Sequence, residues 1–435
     1  MLSNKDEKMK KVILIFILQG YLMAATLLKV NVNGIDVPIV FEKDNRLPLR
    51  EVEFVFTNSG YLASNKAGLV TLSADLLNEG TLKDGSIKFA KELEDRAIDL
   101  SANSGRETFV FTIDTIKEQF DFGLDKLIEL LKEPNYKDET FNKIVAKRLA
   151  VLEKKEDDFD YIAANGLRAE LFKGTPLANP ALGTKESIKS LKLNDLKNYI
   201  NSHLHLNNLI VVAGGDFSED EIKNIAKKFA SNLKKGKVEE IKKIQASDKE
   251  VTKETFKETQ QAYIYFGAPY DMNVSSKDRV IGKVASFILG SGGFGSRLME
   301  EIRVKRGLAY AAFSRFVVNK THSYFSGYLQ TKLDSQKEAI SVVKEVISNF
   351  LKNGVTQEEL ESAKKFFLGS EPLRMETLNQ RVSRAFNEYY SGVGLGFSKE
   401  ELKLIENLKL EDLNNFIKKH QEIGKLSFFI VTKKK

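Results

Sequence analysis

The chain has no cysteine, which excludes disulfides, thiolate metal sites and cysteine nucleophiles. Cysteine avoidance is compatible with an oxidising compartment. Histidine is nearly as scarce: His203, His205, His322 and His420 are the whole set. None stands in an HxxEH or HExxH pattern, so a helical zinc site of the usual peptidase kind is missing. The His203-Leu-His205 triplet could bind a metal edge-on, but no acidic partner accompanies it, and His203 and His420 occupy equivalent places in a repeat described below. A structural role fits these histidines better. There is no G-x-S-x-G elbow, and no basic stripe with interleaved aromatics, which excludes a nucleic-acid role.

What is present is a globular composition over 435 residues, enough for two or three domains. The net charge of +7 comes from 67 basic against 60 acidic residues. Lysines alternate with glutamates as on solvated helix faces, and the small positive excess leans towards acidic ligands. At the N-terminus, "MKK" (Met9 to Lys11) leads into "VILIFILQGYLMAA", a run of signal-peptide length ending in small residues. It is too short, and too broken by Gln19 and Gly20, for a membrane span. The expectation is therefore a signal segment over 1–25 with translation starting at Met9, and an exported, periplasmic protein. A buried first strand or a membrane anchor is the alternative, and peripheral proximity to a membrane stays open.

The chain repeats itself. "SLKLNDLKNYINSH" at 190–203 and "NLKLEDLNNFIKKH" at 407–420 share eight of fourteen positions at an offset of 217 residues, half the chain. Each copy reads as a helix followed by an apolar strand, "NLIVVAGG" and "KLSFFIVT". A second echo, "DETFNKIVAKRL" from Asp138 and "QEELESAKKFFL" from Gln357, has nearly the same offset and points to a duplicated domain. Alternating strands open each half, "LREVEFVFTNSG" and "QQAYIYFGAPY". The fold class predicted is α+β: two tandem homologous domains over 26–231 and 255–435, each a mostly antiparallel sheet packed with helices. The Lys-rich segment 232–254 is the expected linker.

Three segments could carry chemistry. "GSGGFG", Gly290 to Gly295, matches a dinucleotide fingerprint in form only, because helical spacing precedes it where a strand is required. A helix–glycine turn–helix is the better reading. Next, "SRLMEEIRVKRGLAYAAFSRF" gives a helix carrying Arg303, a break at Gly307, and Tyr310 entering a strand. An arginine and a tyrosine beside a glycine-lined turn can hold a carbonyl or carboxylate; a surface arginine beside a packed tyrosine is the plainer alternative. Finally, "GLVTLSADLLNEGT", Gly68 to Thr81, is a helix with Leu69, Leu72 and Leu76 on one stripe and Thr71, Ser73, Asp75 and Glu79 between them. Asp75 and Glu79, one turn apart, could form an acid/base pair or a solvated helix face.

These segments resemble the pitrilysin/insulinase family of zinc peptidases, in its mitochondrial-processing-peptidase-like branch. The resemblance is most specific in "LGSGGFGSRLMEEIRVKRGLAYAAFS", with support from "GVTQEELESAKKFFLG", "PLANPALGTKESIKSL" and "NNLIVVAGGDF". The family's tandem α+β architecture agrees with the internal repeat. In active members a first-domain helix carries His-x-x-Glu-His just before Gly-Thr, and a glutamate about 75 residues on completes the zinc site. Counting back from Gly80–Thr81, the corresponding positions are Thr71, Ala74 and Asp75, with the distal position at Val151 or Leu152 and Glu153 close by. The resemblance therefore implies a zinc helix stripped of its chemistry, with no metal held by this chain. The arginine–tyrosine pair that reaches substrate in the family is matched by Arg303 and Tyr310.

The implied function is a non-catalytic subunit of a heteromeric metallopeptidase. It would enclose peptide for a homologous HxxEH-bearing partner that brings the zinc. Gly290, Gly292 and Gly293 would let substrate backbone approach closely, and Arg303 with Tyr310 would contact it. Two alternatives stand beside it: a peptide-binding or structural scaffold without proteolysis, and an enzyme with a relocated site at Asp75 and Glu79.

Overall fold

The computed structural model describes residues 25–434, so the expected signal segment lies outside the described residues apart from Ala25. The first sheet is built from β1 (Thr26–Val32), β2 (Ile35–Lys43), β3 (Leu49–Thr57), β4 (Asp99–Ser104), β5 (Thr108–Ile116) and β6 (Leu209–Gly215), in the order β1-β2-β6-β3-β5-β4. The second is built from β7 (Ile244–Gln245), β8 (Thr252–Phe256), β9 (Gln261–Pro269), β10 (Ala309–Val318), β11 (His322–Lys332) and β12 (Ser427–Thr432), in the order β10-β11-β9-β12-β8 with β7 beside β11. Both are mixed. β2–β6 and β8–β12 are parallel, while the central pairs β3–β5, β3–β6, β9–β11 and β9–β12 are antiparallel. Five strands correspond in order, β2-β6-β3-β5-β4 with β8-β12-β9-β11-β10, as duplication requires, while β1 and β7 have no counterpart.

Two boundaries differ from the sequence expectation. The first sheet opens before Leu49, with the β1–β2 hairpin. Its turn is Asn33–Gly34, both at positive φ (52° and 83°), the two-residue Asn-Gly turn that suits strand twist. The segment 232–254 is only partly a connection: β7 and the start of β8 lie inside it, and Ile244 is buried. β8 is an edge strand with mostly exposed side chains, so it carries no hydrophobic alternation by which it could be recognised.

Each domain has its own core, and each also lends a helix to the other. Helix Phe159–Leu171, from the first half of the chain, packs on β9 and β12; helix Leu378–Tyr390, from the second half, packs on β2 and β6. Glycines permit both approaches. A Cβ on Gly166 would strike the Phe429 ring, and one on Gly214 would strike Val382. Val40, Val55, Ile210 and Val212 of the first sheet form one apolar cluster with Val382 and Ala385. A second contact joins the hairpin turns: Glu107 accepts from the Thr321 backbone N–H (2.8 Å) and from its hydroxyl. Among the described residues no helix is long and apolar enough to cross a membrane.

Candidate functional site

Helix Leu69–Leu77 buries Leu69, Leu72 and Leu76 in the first core and leaves Thr71 and Asp75 half-buried on its other side. Its C-terminal end is tied to the edge strand. The Asn78 side chain donates to the Ala102 carbonyl (2.8 Å) and accepts from the Ala102 N–H (2.7 Å), after which Gly80 turns the chain at φ 74°. The helix is therefore rigidly held, as a catalytic helix must be.

The side chains at the degenerate zinc positions are engaged with a protein cation. Arg148, on helix Asp138–Lys154, donates to Thr71 Oγ1 (2.8 Å), to Asp75 Oδ2 (2.6 Å) and to the Leu182 carbonyl (3.1 Å). Its guanidinium thus bridges Thr71 and Asp75, the two positions that the resemblance matches to the family's zinc-binding histidines. Thr71 Oγ1 in turn donates to the Ala181 carbonyl (2.8 Å). Ala74 is buried and offers no donor; Val151 is exposed, Leu152 belongs to the core, and Glu153 is exposed.

This donor set does not fit zinc. It supplies one carboxylate and one hydroxyl, already joined by a fixed positive charge, whereas zinc needs three protein ligands and an open position. Among the described residues no group of three His, Asp or Glu side chains is arranged to hold a metal ion. Asp75 and Glu79 do not pair with each other either: Glu79 takes Lys143 Nζ at 2.6 Å. The relocated acid/base reading loses its geometry, because each carboxylate is held by its own cation.

The histidines are structural. His203 stacks on Tyr199 (ring centroids 4.1 Å apart), and burial lowers its pKa. His205 Nε2 meets the Lys237 carbonyl at 3.1 Å. His322 is pushed down to about 4, first by burial and then by Arg106 and Arg168. His420 Nδ1 meets Glu422 at 2.7 Å.

In the second domain, helix Asp278–Ser286 runs into a π-helical turn, Phe287–Ser291, and a second π turn, Glu300–Val304, carries Arg303. Such turns are rare and recur at functional sites. The glycine loop between them follows a helix, so it cannot serve as a dinucleotide turn. The Arg303 guanidinium lies between two exposed rings, 4.6 Å from the Phe294 centroid and 4.4 Å from that of Tyr310. Phe294 is 71% exposed and Tyr310 82%, and Arg303 forms no ion pair among the described residues. Both rings are within cation–π distance of the guanidinium.

The three glycines do not share one role, which corrects the expectation for Gly290 and Gly292. Gly290 is buried, and a Cβ there would strike Ser314 on β10; at Gly292 it would crowd the Phe287 carbonyl. Both serve internal packing. Only Gly293, at φ 65° with open space around it, borders the free surface. Arg148 and Phe294 escaped the sequence reading. Arg148 sits three residues before Val151 in an ordinary amphipathic helix, and nothing in its spacing marks it. Phe294 lies within a quoted motif, yet only the fold brings its ring over Arg303.

Comparison with known proteins agrees with this geometry. The family model for the Peptidase M16 inactive domain matches residues 190–367, and that for Insulinase (Peptidase family M16) matches 55–185. The chain is 42% identical over 430 residues to the non-peptidase homolog YmxG of Helicobacter pylori, covering 98% of this chain and 99% of that protein. Mitochondrial-processing peptidase subunit beta of Caenorhabditis elegans is 26% identical over 186 residues, 42% of this chain and 40% of that one. The crystal structure of a peptidase M16 inactive domain from Pseudomonas fluorescens superposes with a TM-score of 0.86 at 22% identity, over 94% of this chain and 99% of that one. On these matches the chain belongs to peptidase family M16, the insulinase family, as a member without the zinc motif.

Proposed function

We propose that this chain is the non-catalytic subunit of a heteromeric M16 metallopeptidase. It encloses peptide and presents it to a homologous chain that carries HxxEH and zinc. The observation that supports this is the contrast between the two sites. The metal positions are closed by an internal cation, whereas Arg303 lies beside two exposed rings and forms no ion pair among the described residues. A guanidinium kept in that state is suited to grip a carbonyl or carboxylate of an extended peptide. The chain itself holds no cofactor in this reading, and export to the periplasm follows from the apolar segment after Met9.

The test is cleavage of quenched peptides by the chain, by its HxxEH homologue, and by the two together. The mixture is expected to cleave fastest, and Arg303→Ala in this chain to lower kcat/KM by about tenfold, the loss of one charged hydrogen bond. Equal cleavage with and without this chain would refute the reading. Peptide binding without any cleavage would turn it into the scaffold alternative.

A further inference from the structure

The two domains touch through their hairpin turns as well as through the exchanged helices. The turn between β4 and β5 brings Arg106 and Glu107. The turn between β10 and β11 brings Lys320 and Thr321, with His322 at the start of β11. Thr321 is the junction. Its N–H and hydroxyl both donate to Glu107, its carbonyl accepts from the Ile244 N–H of β7 (2.7 Å), and its Oγ1 lies 2.9 Å from His322 Nδ1. The hydroxyl has one hydrogen, and it goes to the carboxylate. Nδ1 must therefore carry a hydrogen of its own and donate it to Thr321 Oγ1. Nε2 is left with its lone pair, 3.0 Å from the Asn319 amide nitrogen.

The surroundings keep this ring neutral. His322 is 1% exposed; it packs against the rings of Phe172 and Tyr324 and lies opposite Ile244 of β7 in strand register. Burial, then the charges of Arg106 and Arg168, disfavour a second proton. Neither arginine forms an ion pair among the described residues, and the Nε of each is buried without a hydrogen-bond partner. Glu107 is already taken by Thr321 and lies beside Tyr390, over whose ring Lys320 Nζ stands at 4.9 Å. A proton on Nε2 would meet the Asn319 N–H and set a third cation beside two unpaired ones. Arg106 and Arg168 belong to the first half of the chain and His322 to the second, so the repulsion acts across the contact.

We propose that Thr321 and His322 form an acid-sensitive latch, in which protonation of His322 frees the β10–β11 turn from Glu107 and loosens the β4–β5 turn and β7 with it. The freed ring binds a proton more readily than the buried one, so acid favours release. The latch is closed above the ring's ordinary value of 6.5, opens progressively as pH falls towards about 4, and gains nothing below that. That interval limits the effect to about two orders of magnitude in the closed-to-open ratio. β4 also holds Asn78, at the end of helix Leu69–Leu77, through Ala102, so release slackens the sheet edge beside the bridged zinc positions.

Two measurements on the full chain test this, and neither needs peptide or a partner chain. The chain has four histidines, so their rings can be followed one by one in an NMR titration, and His322 is expected to titrate near pH 4. Amide hydrogen exchange, corrected for intrinsic rate, is expected to show protection over 104–108 and 319–323 falling about tenfold or more between pH 7 and pH 4.5, with β3 unchanged. H322F keeps an aromatic ring, takes no proton, and should hold protection level over that range. R106Q leaves the histidine in place and removes one facing charge; it should raise the His322 midpoint and shrink the loss of protection. A His322 midpoint near 6.5, level protection in the native chain, or an equal loss in H322F would each overturn the latch.

Discussion

Replacing Arg148 by methionine removes the guanidinium while keeping most of the apolar stem. Arg148 has 6% of its side chain exposed and Asp75 has 43%. Losing one partner of a fully buried pair costs about 3–5 kcal/mol. Asp75 lies half in water and can be rehydrated, so the lower end applies and solvent screening reduces it further. Thr71 keeps its bond to the Ala181 carbonyl, whereas the Leu182 carbonyl loses its donor, which adds about 1 kcal/mol. The expected loss is about 2–3 kcal/mol, or roughly 4–12 °C in the melting of a domain of this size. Asp75→Leu should cost at least as much, because it strands a buried cation without its counter-charge. The double variant R148M/D75L should then cost less than the sum, with a coupling of about 1–2 kcal/mol. The assay is differential scanning calorimetry of the four proteins. Strict additivity, or a shift for R148M within about 1 °C, would refute the view that Arg148 stands in for a metal as the clamp between these helices.

Other outcomes follow from the same geometry. Restoring Thr71→His, Ala74→Glu, Asp75→His and Val151→Glu with Arg148 retained should leave zinc well below one equivalent; adding Arg148→Leu should raise it, as read by metal analysis after dialysis. E51Q should be stabilising, with a set pH dependence. The Glu51 carboxyl is raised to about 7 from its ordinary value, so its contribution is present below about pH 4.5 and lost as pH rises through about 7. The neutral variant should melt with the native chain at pH 4 and exceed it by about 1–2 kcal/mol at pH 8, after discounting for solvent near Asp114. Gly166→Val should cost about 1–3 kcal/mol by driving its new Cβ into Phe429, and should open the contact between domains to limited proteolysis.

The internal repeat at 190–203 and 407–420 made the duplicated α+β architecture legible, because helix and strand periodicities survive wherever a face is buried. The Gly68–Thr81 helix and the Arg303–Tyr310 spacing were equally readable, being local motifs. The β1–β2 hairpin was signalled by Asn33–Gly34 yet passed unnoticed, and β8 gave no signal because an exposed edge strand need not alternate. Contacts between residues distant in sequence were not legible at all.

By itself, then, the sequence determined a duplicated domain and a Gly68–Thr81 helix with one apolar stripe, set by residue type and short-range period. The family resemblance supplied the reading of that helix as a zinc helix without its ligands, and of Arg303 with Tyr310 as a matched pair. Only the tertiary structure decided what stands in the ligands' place: Arg148, 73 residues beyond Asp75, closes on it. It likewise decided which glycines pack and which face solvent, and that Glu51, Asp114 and Asp99 stand side by side across three strands. Strand register and helix packing bring such residues together, and neither is encoded in spacing along the chain.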